Sequence, residues 1–374
     1  MKVTKKILLL CAMSFLFLSN VAKANINCWL YDKLPAQVDV VNLGGISINV
    51  GPEIANGTIV FQSTYRSAAV QGLMCTTEPG VTYVIPSLMR NENTPMPLAT
   101  GVTGTYSGQA YETGVPGLAA VVTKVVGPIP ETYTIVNKSG TGDAGQGWTQ
   151  VISLKIIKTG TVSPGIINGA NLPSVYTEAQ ATAGVSGLPL TTQKLSFAGQ
   201  LNVVSSSCTT PDVTVNLGKY SVSETFTGIG SASPWVDSSM TLTNCPAFHG
   251  YFSSANSSLT EYGSVTLGPG TPTPNSLYLT ITPTTSVLDY TNGIFSTISG
   301  AGTASGVALQ LARGDFRDPE SLIFARLASS FSMNVSSTTA TDIKIPLAVR
   351  YIQRDATVKA GKADGKVTVR IDYR

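Results

Sequence analysis

The chain has 374 residues, of which 24 are Lys or Arg and 21 are Asp or Glu, so its formal net charge at pH 7 is +3. Charged residues make up only 12% of the sequence, and they form no basic cluster of the kind that neutralises a row of phosphates. This composition argues against nucleic acid as a partner. Its abundant Gly, Ser and Thr are typical of an exported protein built from β-strands.

The first 24 residues predict a secretory signal peptide. Three Lys residues form a basic start, an apolar core covers residues 7–18, and Ala22-Lys23-Ala24 is a small-x-small cleavage site. The apolar core is too short to span a bilayer. We therefore expect export, a mature N-terminus at Asn25 and a mature chain of 350 residues (374 minus 24).

Four cysteines remain once Cys11, which lies in the apolar core, is removed with the signal peptide. An even number of cysteines in an exported chain predicts disulfides. Four cysteines allow three pairings, and we favour the sequential one. Each of its two bridges would close a loop of roughly forty residues and stabilise the fold by about 4 kcal/mol in the chain-entropy model. The favoured pairing joins Cys28 with Cys75 and Cys208 with Cys245. A zinc site is the weaker interpretation, because no pair has C-x-x-C spacing and His249 is the only histidine. No cofactor or metal is predicted.

Strand patterns recur along the chain and helical patterns are nearly absent. Segments rich in β-branched or alternating apolar residues are separated by Gly, Pro or Asn. They predict strands at residues 37–43, 46–50, 81–85, 132–136, 148–158, 194–204, 213–217, 276–282, 307–312, 343–352 and 367–373. One helical turn is predicted at Asp318, with Pro319 as its first helical residue. The fold class is therefore all-β, and the length favours two domains.

A domain boundary is predicted near residues 203–207. The predicted strand 194–204 ends there, and Ser205-Ser206-Ser207 forms a short linker before Cys208 begins a new pattern. The expected organisation is a signal peptide at 1–24, an N-terminal domain at 25–203, a linker at 204–207 and a C-terminal domain at 208–374.

The second half carries a distinctive set of motifs. Cys208 precedes a strand-like run that ends in Leu217-Gly218; Phe226-Thr-Gly-Ile-Gly230 follows, and then Leu242-Thr-Asn-Cys245-Pro246. From Val367 onward every second residue is apolar, which is the period of a strand with one buried face. Gly361 is the fourteenth residue from the end and Tyr373 is the penultimate one.

These motifs resemble the pilin domain of bacterial chaperone-usher fimbrial subunits, and the resemblance covers residues 208–374. It implies an incomplete immunoglobulin-like β-sandwich. In that family a groove left by a missing strand is filled by a periplasmic chaperone or by the next subunit. The groove residues that the resemblance implies are Gly361, Val367, Val369, Ile371, Tyr373 and Arg374.

The N-terminal half resembles that of two-domain fimbrial tip adhesins. An ordinary pilin begins with an extension that it donates to its neighbour, whereas here only Asn25-Ile26-Asn27 would precede Cys28. That is too short to fill a groove needing roughly ten residues at about 3.3 Å each. The resemblance implies a lectin-like receptor-binding β-sandwich at the fimbrial tip. Its partners would be a periplasmic chaperone, an outer-membrane usher, an adjacent pilin and a host glycan or matrix protein.

Candidate receptor-binding residues lie on predicted loops of the N-terminal half. Sugars are bound by carboxylate and amide side chains together with aromatic faces. By resemblance to mannose-binding adhesins, the pocket draws on the N-terminus, the residues after the second Cys and the loop before the last strand. Thr76-Thr77-Glu78 stands where the mannose type has an Asn-Asp pair, so mannose is not implied. The candidates are Glu78, Asn91, Glu92, Asn93, Asp143, Gln146, Trp148, Asn168, Asn171, Tyr176 and Glu178.

Two alternatives remain from the sequence. The first is a non-adhesive structural cap or initiator of the fimbria. The second, less favoured, is a secreted glycoside hydrolase, which would need a pair of carboxylates at a defined separation. The sequence has no Gly-x-Ser-x-Gly or His-Glu-x-x-His motif, so we do not expect an enzyme.

Overall fold

A computed structural model of the chain describes residues 26–67, 71–76, 83–124, 131–137, 143–148, 150–204, 207–252, 258–261, 264–266, 271–335 and 341–374. The predicted signal peptide, Glu78 and the linker residues Ser205 and Ser206 lie outside these ranges. No helix within them is long and apolar enough to cross a membrane.

Strands dominate both halves, so the predicted all-β class is confirmed. The strands up to residue 204 are β1 (Ile26–Leu30), β2 (Gln37–Asn42), β3 (Ser47–Asn49), β4 (Ile59–Ser67), β5 (Gln71–Thr76), β6 (Tyr83–Asn93), β7 (Tyr111–Glu112), β8 (Leu118–Lys124), β9 (Glu131–Asn137), β10 (Asp143–Trp148), β11 (Val151–Lys158), β12 (Gly165–Asn168), β13 (Ser174–Ala179), β14 (Val185–Ser186), β15 (Leu190–Ala198) and β16 (Gln200–Val204).

The later strands are β17 (Val236–Asp237), β18 (Met240–Cys245), β19 (Ser258–Glu261), β20 (Ser264–Thr266), β21 (Asn275–Pro283), β22 (Val287–Asp289), β23 (Ile294–Ser296), β24 (Val307–Arg313), β25 (Ile323–Phe324), β26 (Ser330–Val335), β27 (Thr341–Ile345), β28 (Leu347–Gln353) and β29 (Val367–Tyr373). Helical turns are α1 (Val222–Thr225) and the 3-10 turns Tyr31–Lys33, Gly104–Tyr106, Gly169–Asn171 and Pro319–Ser321.

The N-terminal half is a sandwich of two large sheets. Their strand orders are β20-β2-β15-β13-β6-β9 and β19-β4-β11-β8-β7, and smaller sheets β10-β5-β1-β14 and β12-β16-β3 lie beside them. Alternate side chains of the large sheets, such as Val41, Phe61, Ile156 and Leu195, form one buried cluster. Burying this apolar face is the main source of the sandwich's stability.

The C-terminal half has its own apolar core. The sheets β17-β28-β24-β23-β22, β26-β21-β29 and β18-β27 contribute to it. Leu242, Leu279, Phe295 and Leu309 are among its buried side chains. Each half therefore buries a separate cluster of apolar residues, as expected for two sandwiches.

A segment of the second half crosses to the first. Strand β19 pairs in parallel with β4, and β20 pairs in parallel with β2, so one edge of both large N-terminal sheets is covered. The rings of Phe252 and Phe61 pack edge to face with centroids 6.1 Å apart. The boundary at residues 203–207 stays a prediction, and the two halves share strands on both sides of it.

Most predicted strands are confirmed, and two are interrupted. Segments 37–43, 46–50, 132–136, 276–282 and 307–312 match observed strands to within one residue at each end. The predicted strand 194–204 is divided into β15 and β16 at Gly199, which has a φ of +69°. The predicted strand 343–352 is divided at Pro346, which has no N–H for a ladder. Segment 148–158 spans the end of β10 and the whole of β11.

One further strand prediction differs from the structure. Segment 213–217 has strand-like alternation, but it forms no strand with any described residue. This error comes from a local pattern whose outcome depends on neighbours elsewhere in the chain.

The helical turn predicted at Asp318 is present as a 3-10 turn, Pro319–Ser321, with Asp318 in the N-cap position. It ends after one turn, because Leu322 is already extended with φ −68° and ψ 132°.

The sequential disulfide pairing is confirmed. Cys28 and Cys75 face each other across β1 and β5, with Cα atoms 4.1 Å apart. Cys208 and Cys245 are bridged with Cα atoms 4.2 Å apart. Each bridge joins segments that are distant in sequence, so each removes entropy from the unfolded chain.

Removing the first bridge should destabilise the protein. For the double substitution Cys28→Ala and Cys75→Ala, we expect a loss of about 4 kcal/mol in the free energy of unfolding, from the loop-closure entropy. Urea unfolding of this variant and of the double substitution Cys208→Ala and Cys245→Ala measures both bridges. An unchanged urea midpoint in the first variant would contradict the assignment.

Candidate functional site

The N-terminal strand meets two other segments in a group that we call the polar cluster: Asn27, Thr76, Asp143 and Ser186. The Asn27 N–H donates to Thr76 Oγ1 at 2.9 Å. The single proton of Ser186 Oγ is shared between two acceptors, the Ile26 carbonyl at 2.9 Å and Asn27 Oδ1 at 3.1 Å. Asp143 lies directly opposite Thr76 in the ladder between β10 and β5. Asn27, Asp143 and Ser186 are exposed.

The position of the polar cluster is set by tight backbone packing. The Cys28–Cys75 bridge fixes β1 to β5, and β14 pairs in parallel with β1. Gly187, with φ +81°, lies so close to β1 that an added Cβ would be 2.1 Å from the Cys28 carbonyl oxygen. Only glycine allows both this conformation and this approach.

The polar cluster has the chemistry to bind hydroxyl groups. It offers one carboxylate, one amide and two hydroxyls, which together supply donors and acceptors on a frame held by a disulfide. It also joins the three places that the resemblance implied: the N-terminus, the residue after the second Cys and the loop before β15.

Substitution of Gly187 tests this packing. Gly187→Ala should lower the free energy of unfolding by about 1–3 kcal/mol more than Gly57→Ala, because only the first places a methyl group against backbone. Gly57 is the matched control, since its φ is +89° but an added Cβ would meet nothing within 4 Å. Urea denaturation of both variants measures the difference, and equal losses would contradict the close approach.

Tyr176 and Glu178 were predicted on a loop, but they lie on β13. Their side chains are on the outer face of the sheet, alternating with the buried Val175, Thr177 and Ala179. The Arg90 guanidinium lies 3.5 Å from the Glu178 carboxylate and 5.1 Å from the Tyr176 ring centroid. Polar residues on the exposed face of a strand have the same composition as a loop, which explains the error.

The loop prediction is also wrong for Asn91, Glu92 and Asn93, which form the end of β6. Glu92 is paired with Lys194 on the outer face of the same sheet. This pair and Arg90 with Glu178 are exposed ion pairs, whose median contribution to stability is about 0–1 kcal/mol. Each carboxylate is thus paired with a basic side chain of the same sheet.

The remaining candidates are dispersed. Asn168 ends β12, and its Oδ1 accepts the Ala170 N–H at 3.0 Å, so it caps the 3-10 turn in which Asn171 is the last residue. Asp143, Gln146 and Trp148 lie in β10 and not on a loop. Asp143 alone of the described candidates belongs to the polar cluster. Sequence reasoning missed Asn27 and Ser186 as individual residues, although the resemblance had pointed to the N-terminus and to the 160–190 segment.

The second candidate site is the open edge of β29. The Ser276 and Arg374 backbones exchange two hydrogen bonds, of 2.6 and 2.9 Å, and the Thr284 N–H donates to the Lys366 carbonyl at 2.9 Å. Even-numbered residues of β29 therefore face β21, and the N–H and C=O groups of Val367, Val369 and Ile371 point the other way. Within the part of the chain that the structure describes, no strand pairs with that side.

Apolar side chains line the space beside this edge. Val367, Val369 and Ile371 pack against the C-terminal core but are only partly buried. Val215 and Leu217 pack against the same core from a segment without a ladder. We call the space between the open edge and residues 210–219 the acceptor groove.

Both ends of the acceptor groove are fixed by tyrosines. The Cys208 N–H donates to the Tyr373 hydroxyl at 3.2 Å, which places the start of segment 210–219 at the end of β29. Burial raises the pKa of the Tyr373 phenol above its ordinary value. At the other end Tyr220 packs edge to face on Tyr351, whose hydroxyl donates to the Ala363 carbonyl at 2.9 Å.

The other two residues implied by the resemblance lie outside the open edge. Gly361 approaches the backbone at Thr303, where an added Cβ would be 2.4 Å from the carbonyl carbon, so its glycine serves close packing. Arg374 pairs with Ser276 through its backbone, and its guanidinium lies 4.5 Å from the Tyr278 ring centroid.

The family model for fimbrial protein matches residues 195–374. The matched residues include all the C-terminal motifs, so the resemblance found in those motifs is confirmed. The match begins within β15, upstream of Cys208. A chain with this domain is an exported, fimbria-associated protein.

Several solved structures are similar to this chain. The CupB6 tip adhesin from Pseudomonas aeruginosa is 15% identical, with a TM-score of 0.35 over 93% of this chain and 95% of that chain. The receptor-binding domain of the adhesin MrkD1P of Klebsiella pneumoniae is 19% identical, with a TM-score of 0.30 over 49% and 98%. CfaE, the adhesive subunit of CFA/I fimbria of enterotoxigenic Escherichia coli, is 9% identical, with a TM-score of 0.26 over 90% and 93%. No curated protein sequence matches the chain.

Proposed function

We propose that this protein is the adhesive subunit at the tip of a chaperone-usher fimbria. The observation that carries the proposal is the acceptor groove, in which the open edge of β29 and a partly buried apolar surface lie together. A strand added there would form hydrogen bonds with the free backbone groups of β29 and would also cover the partly buried apolar side chains. The fimbrial family assignment favours this structural and adhesive role over an enzymatic one.

The N-terminal residues favour a tip subunit over a shaft subunit. Strand β1 pairs with β5 and β14, and Cys28 is bridged to Cys75. Residues from Ile26 onward are thus used within the fold and are not free to be donated. The subunit receives a strand and offers its N-terminal half to a receptor.

Assembly then follows from the groove. After cleavage of residues 1–24 and oxidation of both disulfides in the periplasm, a chaperone supplies the missing strand. At the outer-membrane usher this strand is exchanged for the N-terminal extension of the adjacent pilin. Main-chain hydrogen bonds supply affinity, and the half-buried side chains fix the register, because a shift by one residue would turn every side chain to the wrong face.

The receptor proposal rests on the polar cluster. A carboxylate, an amide and hydroxyls favour a host glycan or a matrix glycoprotein. The unit that carries it is residues 25–203, joined to the pilin domain at 208–374 through the linker at 204–207. Asp143 is the sole carboxylate among the four residues of the cluster, whereas glycoside hydrolysis needs two.

Substitution of Ile371 tests groove filling. Ile371→Asp should lower the yield of soluble chaperone complex by about tenfold or more, because a carboxylate without a partner would be buried in the filled groove. Thr368→Asp is the matched control, since Thr368 is exposed on the opposite face of β29. The measurement is co-purification with the fimbrial chaperone from periplasm. Equal yields from the two variants would contradict the groove.

Receptor binding is tested on the full chain in its chaperone complex. On a glycan and matrix-protein array, Asp143→Asn and Ser186→Ala should each weaken binding by about tenfold, through loss of a hydrogen bond to the ligand. Glu178→Gln, on the outer face of the sheet, serves as the control and should bind normally. A folded complex that binds no array member would favour the non-adhesive structural cap.

A further inference from the structure

The backbone N–H of Tyr373, the last residue of β29, is already hydrogen-bonded to another residue of this chain. Glu53 Oε2 accepts the Tyr373 N–H at 3.0 Å. Tyr373 belongs to the same alternating set as Val367, Val369 and Ile371, so this N–H points toward the acceptor groove and away from β21. The bond is charge-assisted, a class roughly twice as strong as a neutral hydrogen bond.

The segment that carries Glu53 is held firmly in the N-terminal half. Lys158 of β11 is buried, and its Nζ donates to the Gly51 and Pro52 carbonyls at 2.8 Å each. Burial lowers the pKa of Lys158, and the Glu53 carboxylate opposes this shift. Glu53 therefore follows directly after two residues whose carbonyls are anchored to a central strand.

Gly51 makes a second contact with the same residue of β29. A Cβ at this position would lie 2.2 Å from the Tyr373 carbonyl oxygen, so the segment fits only because residue 51 has no side chain. The N–H and the C=O of Tyr373 are thus both covered by residues 51–53. An incoming strand meets this obstacle directly after Ile371.

We propose that Glu53 is a built-in stop that ends the pairing of the incoming strand at Ile371. This inference rests on the proposed function, since it assumes that a strand enters the acceptor groove. The partner is an extended peptide whose main chain pairs with Val367, Val369 and Ile371. To pair further it would have to displace the Glu53 carboxylate from the Tyr373 N–H and push aside the Gly51 backbone that covers the Tyr373 carbonyl. The stop thereby fixes the register of the donor strand from the C-terminal side.

The test is amide hydrogen exchange at single-residue resolution in the chaperone complex of the full chain. In the unsubstituted protein the amides of Ile371 and Tyr373 should both be protected. In Glu53→Ala the Tyr373 amide should exchange at least about tenfold faster while the Ile371 amide is unchanged, because only the first depends on Glu53. Glu53→Gln keeps an acceptor oxygen and should retain part of the protection.

Three other outcomes are informative. Undiminished protection of Tyr373 in Glu53→Ala, with no newly protected amide in the chaperone strand, would show that Glu53 does not hold this amide, and the stop would be overturned. A newly protected chaperone amide in Glu53→Ala would show that the strand extends once Glu53 is removed, which supports the stop. Rapid exchange of Ile371 in the unsubstituted complex would show that no strand pairs with the edge, which overturns the proposed function and the stop with it. Failure of the stop is measured at Tyr373 in Glu53→Ala, and failure of the proposed function is measured at Ile371 in the unsubstituted protein. The two failures are therefore distinguishable.

Discussion

The C-terminal half depends on main-chain hydrogen bonds that the described chain does not make for itself. Backbone N–H and C=O groups must be paired when water is excluded, and β29 leaves those of Val367, Val369 and Ile371 without a strand partner. The apolar side chains beside them are only partly buried for the same reason. Under the proposed function, one added strand would pair with this edge and cover these side chains together.

In the N-terminal half, by contrast, exposed polar side chains are held on a rigid backbone. Asn27, Thr76 and Ser186 come from three segments far apart in sequence, and a disulfide, a short parallel ladder and a glycine contact bring them together. None of these side chains needs the groove to be filled. The polar cluster and the acceptor groove therefore lie in different parts of the chain, while residues 51–53 connect the two halves through Tyr373.

The sequence predicted those features that local periodicity determines. Strand β29, the disulfides and the all-β class follow from alternation, an even number of cysteines and recurrent turn residues. The polar cluster could not be predicted from the sequence, because the parallel pairing of β14 with β1 does not alter the pattern of apolar residues in either strand. Tyr176 and Glu178 were misplaced because a polar outer face resembles a loop in composition. The bond from Glu53 to Tyr373 joins residues more than three hundred positions apart, which no local pattern encodes.

The strands β19 and β20 give the molecule an interleaved connectivity. Because they leave the C-terminal half and line β4 and β2, one cut of the chain near residue 205 does not separate the contacts of the two halves. If a single genetic crossover moved only the N-terminal half to another fimbrial gene, its sandwich would lack these two strands. The exposed edges of β4 and β2 could then pair with strands of other chains and cause aggregation. A recombinant immunogen based on this sandwich should accordingly include residues 250–267, joined by an engineered connection.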